Sequence, residues 1–114
     1  MGLDQYAFSR KKDTIRYQWR KHSRLHQFME NLYKEKGYTN EFNNQEVILD
    51  REDVLKLQKA VKNNTLPKSE GGFFFGHEFQ DEQAKEYKKF DLQFCTWALK
   101  ELDKGKDVIY DSWW

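Results

Sequence analysis

Val108-Ile109-Tyr110-Asp111-Ser112-Trp113-Trp114 closes the chain as a run of β-branched and aromatic residues. Such side chains lose rotamer freedom in a helix and pack well on a pleated surface, so the tail reads as a strand. A strand needs a partner, and the other chain end offers one. Gly2-Leu3-Asp4-Gln5-Tyr6-Ala7-Phe8 alternates, with Tyr6 and Phe8 on one face and Ala7 on the other. Arg10-Lys11-Lys12-Asp13 follows as a charged turn, and Thr14-Ile15-Arg16-Tyr17 alternates again, which predicts a hairpin. A helix beginning already at Thr14 is the competing reading. Pairing of the terminal strand with the first would bring the two ends of the chain together.

Between these strands the apolar period changes. From about Trp19 to Lys36 it is helical, with His22, Leu25, His26, Met29, Leu32 and Tyr33 recurring at three and four residues. Arg20, Lys21, Arg24 and Gln27 fall on other faces, and Gly37 suits the left-handed residue that ends a helix. Tyr38 to Gln45 reads as a polar loop. After the short apolar run Val47-Ile48-Leu49, Asp50 is an N-cap with Asp53 at N3. The helix it opens turns Val54, Leu57, Ala60 and Val61 inward and ends near Asn63-Asn64. A long helix from about Gln80 to Lys104 carries Ala84, Tyr87, Phe90, Asp91, Phe94, Trp97, Ala98 and Leu102 on or near one face, and Gly105 stops it. The prediction is a single α+β domain over residues 1–114, with about three helices packed on a small, mostly antiparallel sheet.

A chain of 114 residues can build one core but not two. Nine Phe, six Tyr and four Trp must supply the burial that aliphatic residues usually give. No apolar run approaches the roughly 20 residues that span a bilayer, and no signal peptide is expected. Cys95 is the single cysteine, which excludes an internal disulfide and fits a reducing cytoplasm. Met1-Gly2 invites a myristoylation reading, but Tyr6 stands where that motif needs Ser or Thr. Residues 1–36 carry nine Lys/Arg against four Asp/Glu (+5) and residues 37–114 eleven against fifteen (−4), giving the net +1. A near-neutral total without a recognition-helix motif argues against double-stranded DNA as a partner.

Leu66-Pro67-Lys68-Ser69-Glu70-Gly71-Gly72-Phe73-Phe74-Phe75-Gly76 is the most unusual internal stretch. Side chains of an extended chain alternate, so three consecutive Phe cannot all face one way. At least one is expected to enter a second layer or line a ligand cleft. The glycines lack the Gly-Lys-Ser/Thr of a phosphate loop and do not follow a strand into a dinucleotide fingerprint. His22 and His26, one helical turn apart, are candidate metal ligands with a third from His77, Asp81 or Asp111, yet no His-Glu-x-x-His is present. His26 with Asp81, Asp4 or Asp111 is a candidate acid–base pair, to which Ser112 or Cys95 would add a nucleophile. No spacing defines a triad, so a small His/Asp hydrolase is the last of three readings.

Taken together, these motifs give the chain a resemblance to a group of small phage and bacterial proteins of unknown function, some mislabelled as phosphoglycerate kinase. The group's Met-Gly-Leu-Asp-x-Tyr opening is matched by Met1 to Asp4 and Tyr6. Its Trp-Arg-Lys and aliphatic-His pairs are matched by Trp19-Arg20-Lys21 and Leu25-His26. Its Leu-Pro and Gly-Phe-Phe-Phe-Gly are matched by Leu66-Pro67 and Gly72 to Gly76, a following Asp by Asp81, and its terminal Tyr-x-Ser-Trp by Tyr110, Ser112 and Trp113. The chain departs in being short between its first strand and Trp19, in His22, and in Gln80 beside Asp81. The resemblance implies a phage origin and action in the host cytoplasm, and it supplies no activity.

Interleaved rings and cations fit binding better than turnover. Planar bases stack on aromatics and phosphates take Arg and Lys. The expected ligand is a nucleotide-class small molecule whose capture would counter a host defence. The predicted ligand-binding set is Trp19, Arg20, Lys21, His26, Phe74, Asp81, Tyr110 and Ser112. In it the aromatics stack, Arg20 contacts phosphate, and His26 and Asp81 orient. No cofactor is expected. The alternative is inhibition of a host protein, with Trp113-Trp114 as an anchor if they are exposed rather than packed in the core, and a homo-oligomer is a further partner reading.

Overall fold

The computed structural model describes residues 3–9, 14–69 and 80–113. The charged turn at 10–13, the glycine-flanked phenylalanines with Phe74, His77 and Trp114 lie outside the described residues. The elements run β1 (Asp4–Ser9), β2 (Thr14–Arg20), α1 (Ser23–Glu35), β3 (Val47–Leu49), α2 (Arg51–Lys62), α3 (Gln80–Asp103) and β4 (Val108–Trp113). The strands lie in the order β2-β1-β4-β3, and every pairing is antiparallel. The expected α+β architecture is present, and the terminal strand does pair with the first: Asp4 stands opposite Trp113 and Phe8 opposite Ile109. One core cluster draws residues from all seven elements, from Ala7 and Trp19 through Val54 and Phe94 to Tyr110. None of the described helices is long and apolar enough to cross a membrane.

The helices cover one face of the sheet. On β1 the buried residues are Gln5, Ala7 and Ser9, and among their neighbours across the strands Trp19, Tyr110 and Ser112 are buried and Tyr17 is half-buried. Asp4, Tyr6 and Phe8 therefore belong to the opposite face.

The helical reading of Trp19 to His22 is corrected. Trp19 and Arg20 are the end of β2, opposite Gln5 and Asp4, and α1 starts only at Ser23. Lys21, in the left-handed region at φ 59°, makes the turn, and its N–H donates to the Leu3 carbonyl at 2.7 Å. A strand and a helix both accept a large ring at position 19. The ladder to β1 decides between them. A bulge in the same hairpin carries Ala7 opposite Tyr17 but Phe8 opposite Ile15, so Arg16 is the extra residue.

All three helices stop where local chemistry demands. Gly37 (φ 95°), Asn64 (φ 56°) and Gly105 (φ 76°) are left-handed. In each case the next N–H reaches back five residues: Tyr38 to Tyr33 O, Thr65 to Ala60 O, and Lys106 to Glu101 O. These are Schellman motifs, which satisfy the last carbonyls. At the start of α2, Asp53 N–H donates to Asp50 Oδ1 at 2.8 Å and Asp50 N–H to Asp53 Oδ2 at 3.0 Å, the expected reciprocal cap. The donated Asp53 N–H holds the Asp50 carboxyl below its usual range. Lys36 at the end of α1 ties into the same cap through Asp53 Oδ2 at 2.8 Å. Replacing Asp50 by alanine is expected to cost about 1 kcal/mol, read as a lower urea midpoint at unchanged slope.

Candidate functional site

Two polar regions stand out, one sealed and one open. In the sealed one, Gln5 of β1 sits at the centre. Its Nε2 donates to the Tyr110 hydroxyl at 3.0 Å and to the His22 carbonyl at 3.1 Å, and its Oε1 accepts from the His22 backbone N–H at 2.9 Å. His26 Nδ1 is 3.0 Å from the same hydroxyl. Alongside, Asp91 of α3 accepts from Trp19 Nε1 at 2.8 Å and lies 2.7 Å from His22 Nε2. The His22 ring stacks on Tyr87 with centroids 5.0 Å apart, and the His26 ring on Phe42 at 5.0 Å.

Burial sets the acid–base state of this seam. It pushes His26 down to about 3, so its imidazole is neutral near pH 7. It raises the Tyr110 phenol above its ordinary value and, with the charge of Asp91, pushes the Cys95 thiol up to about 12. The neutral imidazole and the phenol, held from water, fasten α1, β4 and β1 together, and the thiol is packed in the core. Their environment supplies neither an activated nucleophile nor a base that solvent can reach.

The open region is a cleft of about 400 Å³ lined by Arg24, Ala60, Val61, Asn64, Leu66, Asp81, Ala84, Lys85 and Lys88. It exists because α2 and α3 present alanines, Ala60 and Ala84, where longer side chains would fill the space. Arg24 spans the cleft, donating from Nη1 to the Leu66 carbonyl and from Nη2 to Asp81 Oδ1, both at 2.5 Å. Its side chain is 14% exposed, and its Nε is buried without a hydrogen-bond partner among the described residues. The Arg24 guanidinium, first by its hydrogen bond and then by its charge, holds the Asp81 carboxyl below the usual range, with Lys68 adding to the effect. Lys88 Nζ caps the end of α2 through Asn64 Oδ1 at 3.0 Å and the Lys62 carbonyl at 3.4 Å. Lys85, exposed, has no hydrogen bond or ion pair among the described residues. Three cations thus face one carboxylate over an apolar floor, beside the first turns of α3, where the helix dipole also favours negative charge.

The predicted set is divided among four places. His26, Tyr110 and Ser112 share the sealed seam, and Trp19 is enclosed nearby, 1% exposed, between Phe90 and Phe94. Asp81 lines the cleft. Arg20 and Lys21 are exposed on the surface, with Arg20 Nε 3.9 Å from Asp4 Oδ1. Phe74 lies outside the described residues. His26 and Asp81 do not meet, since one is held by Tyr110 and the other by Arg24. His22 and His26 likewise turn to Asp91 and Tyr110, and no group of three metal-ligating side chains occurs among the described residues. Trp113 is 68% exposed, so it is not a core residue. Lys85, Lys88 and Asn64, which line the cleft, are absent from the predicted binding set. The spacing of Asp81, Lys85 and Lys88 by four and three residues was the signal available for them. Comparison with protein-family models, with curated proteins and with solved structures finds no match.

Proposed function

We propose that the protein captures an anionic small molecule of the nucleotide class in the Arg24–Lys85–Lys88 cleft, by binding rather than turnover. The observation that carries this reading is the pairing of three cationic side chains with the apolar floor of Ala60, Val61, Leu66 and Ala84. A phosphate suits the cations, and a planar base suits the floor. The cleft volume falls within the range of about 300–1,000 Å³ typical of small-molecule sites. Phosphate binding at Arg24 would compete with Asp81, whose carboxylate already occupies the guanidinium. The resemblance to the phage group supports a setting in the host cytoplasm, where sequestering a nucleotide signal would blunt a defence response.

Isothermal titration against mononucleotides, dinucleotides and cyclic oligonucleotides tests the reading. Saturable heat is expected with at least one member. Lys85→Glu is expected to weaken binding by about tenfold or more, because a charge-assisted contact contributes about 1.5–3 kcal/mol. Its melting temperature should not move, since Lys85 is exposed and makes no hydrogen bond or ion pair among the described residues. Absence of heat across the panel would end the proposal.

A further inference from the structure

Arg24 and Asp81 are unequally held. The Arg24 side chain is 14% exposed and is fixed by the Leu66 carbonyl, whereas the Asp81 side chain is 75% exposed. The pair is also incomplete. A guanidinium can offer the edge formed by Nε and Nη2 to two acceptor oxygens at once. Asp81 fills half of that edge, with Oδ1 on Nη2, and the buried Nε has no acceptor among the described residues. Nε has lost its water without receiving a partner, which is unfavourable for a charged donor. Lys68, two residues beyond the carbonyl that holds Arg24, is exposed, and its charge is felt at the Asp81 carboxyl. The carboxylate thus has a second cation near it.

We infer that the Asp81 carboxylate is a tethered stand-in for the ligand's anionic group, and that it yields to a phosphomonoester dianion. The inference rests on the proposed capture of a nucleotide-class molecule in this cleft. Two oxygens of a tetrahedral phosphate take Nε and Nη2 of Arg24, a third turns to Lys85, and Asp81 swings towards Lys68. Asp81 is the member that moves, because it is the exposed one. Charge decides the ligand class. A phosphodiester is a monoanion, so exchanging it for a carboxylate on Arg24 gains little and leaves Lys85 unneutralised. A terminal phosphate carries about −1.5 to −2 near pH 7 and has three strong acceptor oxygens, enough for both cations. Asp81 therefore sets a threshold that a singly charged ligand does not pass.

Titration calorimetry with ribonucleoside monophosphates, their cyclic diesters and the parent nucleosides tests this, since each trio shares a base and differs in charge. The wild type is expected to bind a monophosphate at least about tenfold more tightly than its cyclic diester, and the nucleoside not measurably. Asp81→Asn should tighten the monophosphate by about fivefold, the upper worth of an exposed ion pair, with an unchanged circular dichroism spectrum. In an Arg24→Gln background the same substitution should recover little of that gain, because no guanidinium is left to free. The Arg24 Nε–H resonance of the wild type should also move on adding the monophosphate, a readout that stands even if Arg24→Gln fails to fold. Four results would each overturn the inference while leaving the capture reading intact. They are a cyclic diester or cyclic oligonucleotide bound as tightly as any monophosphate, no gain from Asp81→Asn, an equal gain without Arg24, and an unmoved Nε–H resonance. No binding of any nucleotide to either the wild type or Asp81→Asn would end both.

Discussion

Replacing Asp91 by alanine is expected to remove about 3–5 kcal/mol of stability, a large part of the roughly 5–15 kcal/mol that holds a small domain. One carboxyl serves two donors from different elements, Trp19 Nε1 on β2 and His22 Nε2 at the entry to α1. Asp91 is 1% exposed, as is Trp19, and His22 is wholly buried, so water cannot replace the lost acceptor. Two buried polar groups would be stranded together, and each adds its own desolvation cost. Trp19→Phe strands only one group and should cost visibly less. Urea unfolding of both variants at constant slope checks the order. Equal small losses would mean that the seam contributes little.

Acidification gives the second large effect. His26 titrates near 6.5 when unfolded and near 3 when folded, because burial opposes its charge. Above the unfolded value both states are neutral and the native state keeps its full stability. As pH falls below it, the unfolded chain takes up a proton that the native state refuses, and stability is lost until the folded value is reached. The expected slope is about 1.4 kcal/mol per pH unit, or roughly 2–3 kcal/mol by about pH 4.5. Asp111 acts oppositely, since its raised carboxyl takes its proton in the folded state first. Asp50 and Asp81, both depressed, are protonated only at lower pH. Comparison with His26→Asn cancels these carboxylates. The variant should lose the excess slope between pH 6.5 and 4.5, and identical pH profiles would exclude His26 as its source.

The limits of the sequence follow from particular residues. Gly37, Asn64 and Gly105 stop their helices through their own backbone preferences, and the Asp50–Asp53 cap needs only a three-residue spacing. The partnership of the first and last strands was also legible, because two half-buried strands at opposite ends have few other places to pair. The boundary at Trp19 was not, for a ring at that position suits either period and only the ladder with Gln5 assigns it to the sheet. Nor was Gln5, an ordinary polar residue in sequence, visible as the link between His22 and Tyr110.

The cleft shows the same division most clearly. Sequence alone placed Asp81, Ala84, Lys85 and Lys88 on one long helix and Ala60 on another, because helical periodicity is a short-range property. That Ala60 meets Ala84, and that Arg24 arrives from a third helix to bridge Leu66 and Asp81, was decided by tertiary packing. Contacts between residues some twenty to sixty positions apart depend on how whole helix faces are buried, and no local preference encodes them.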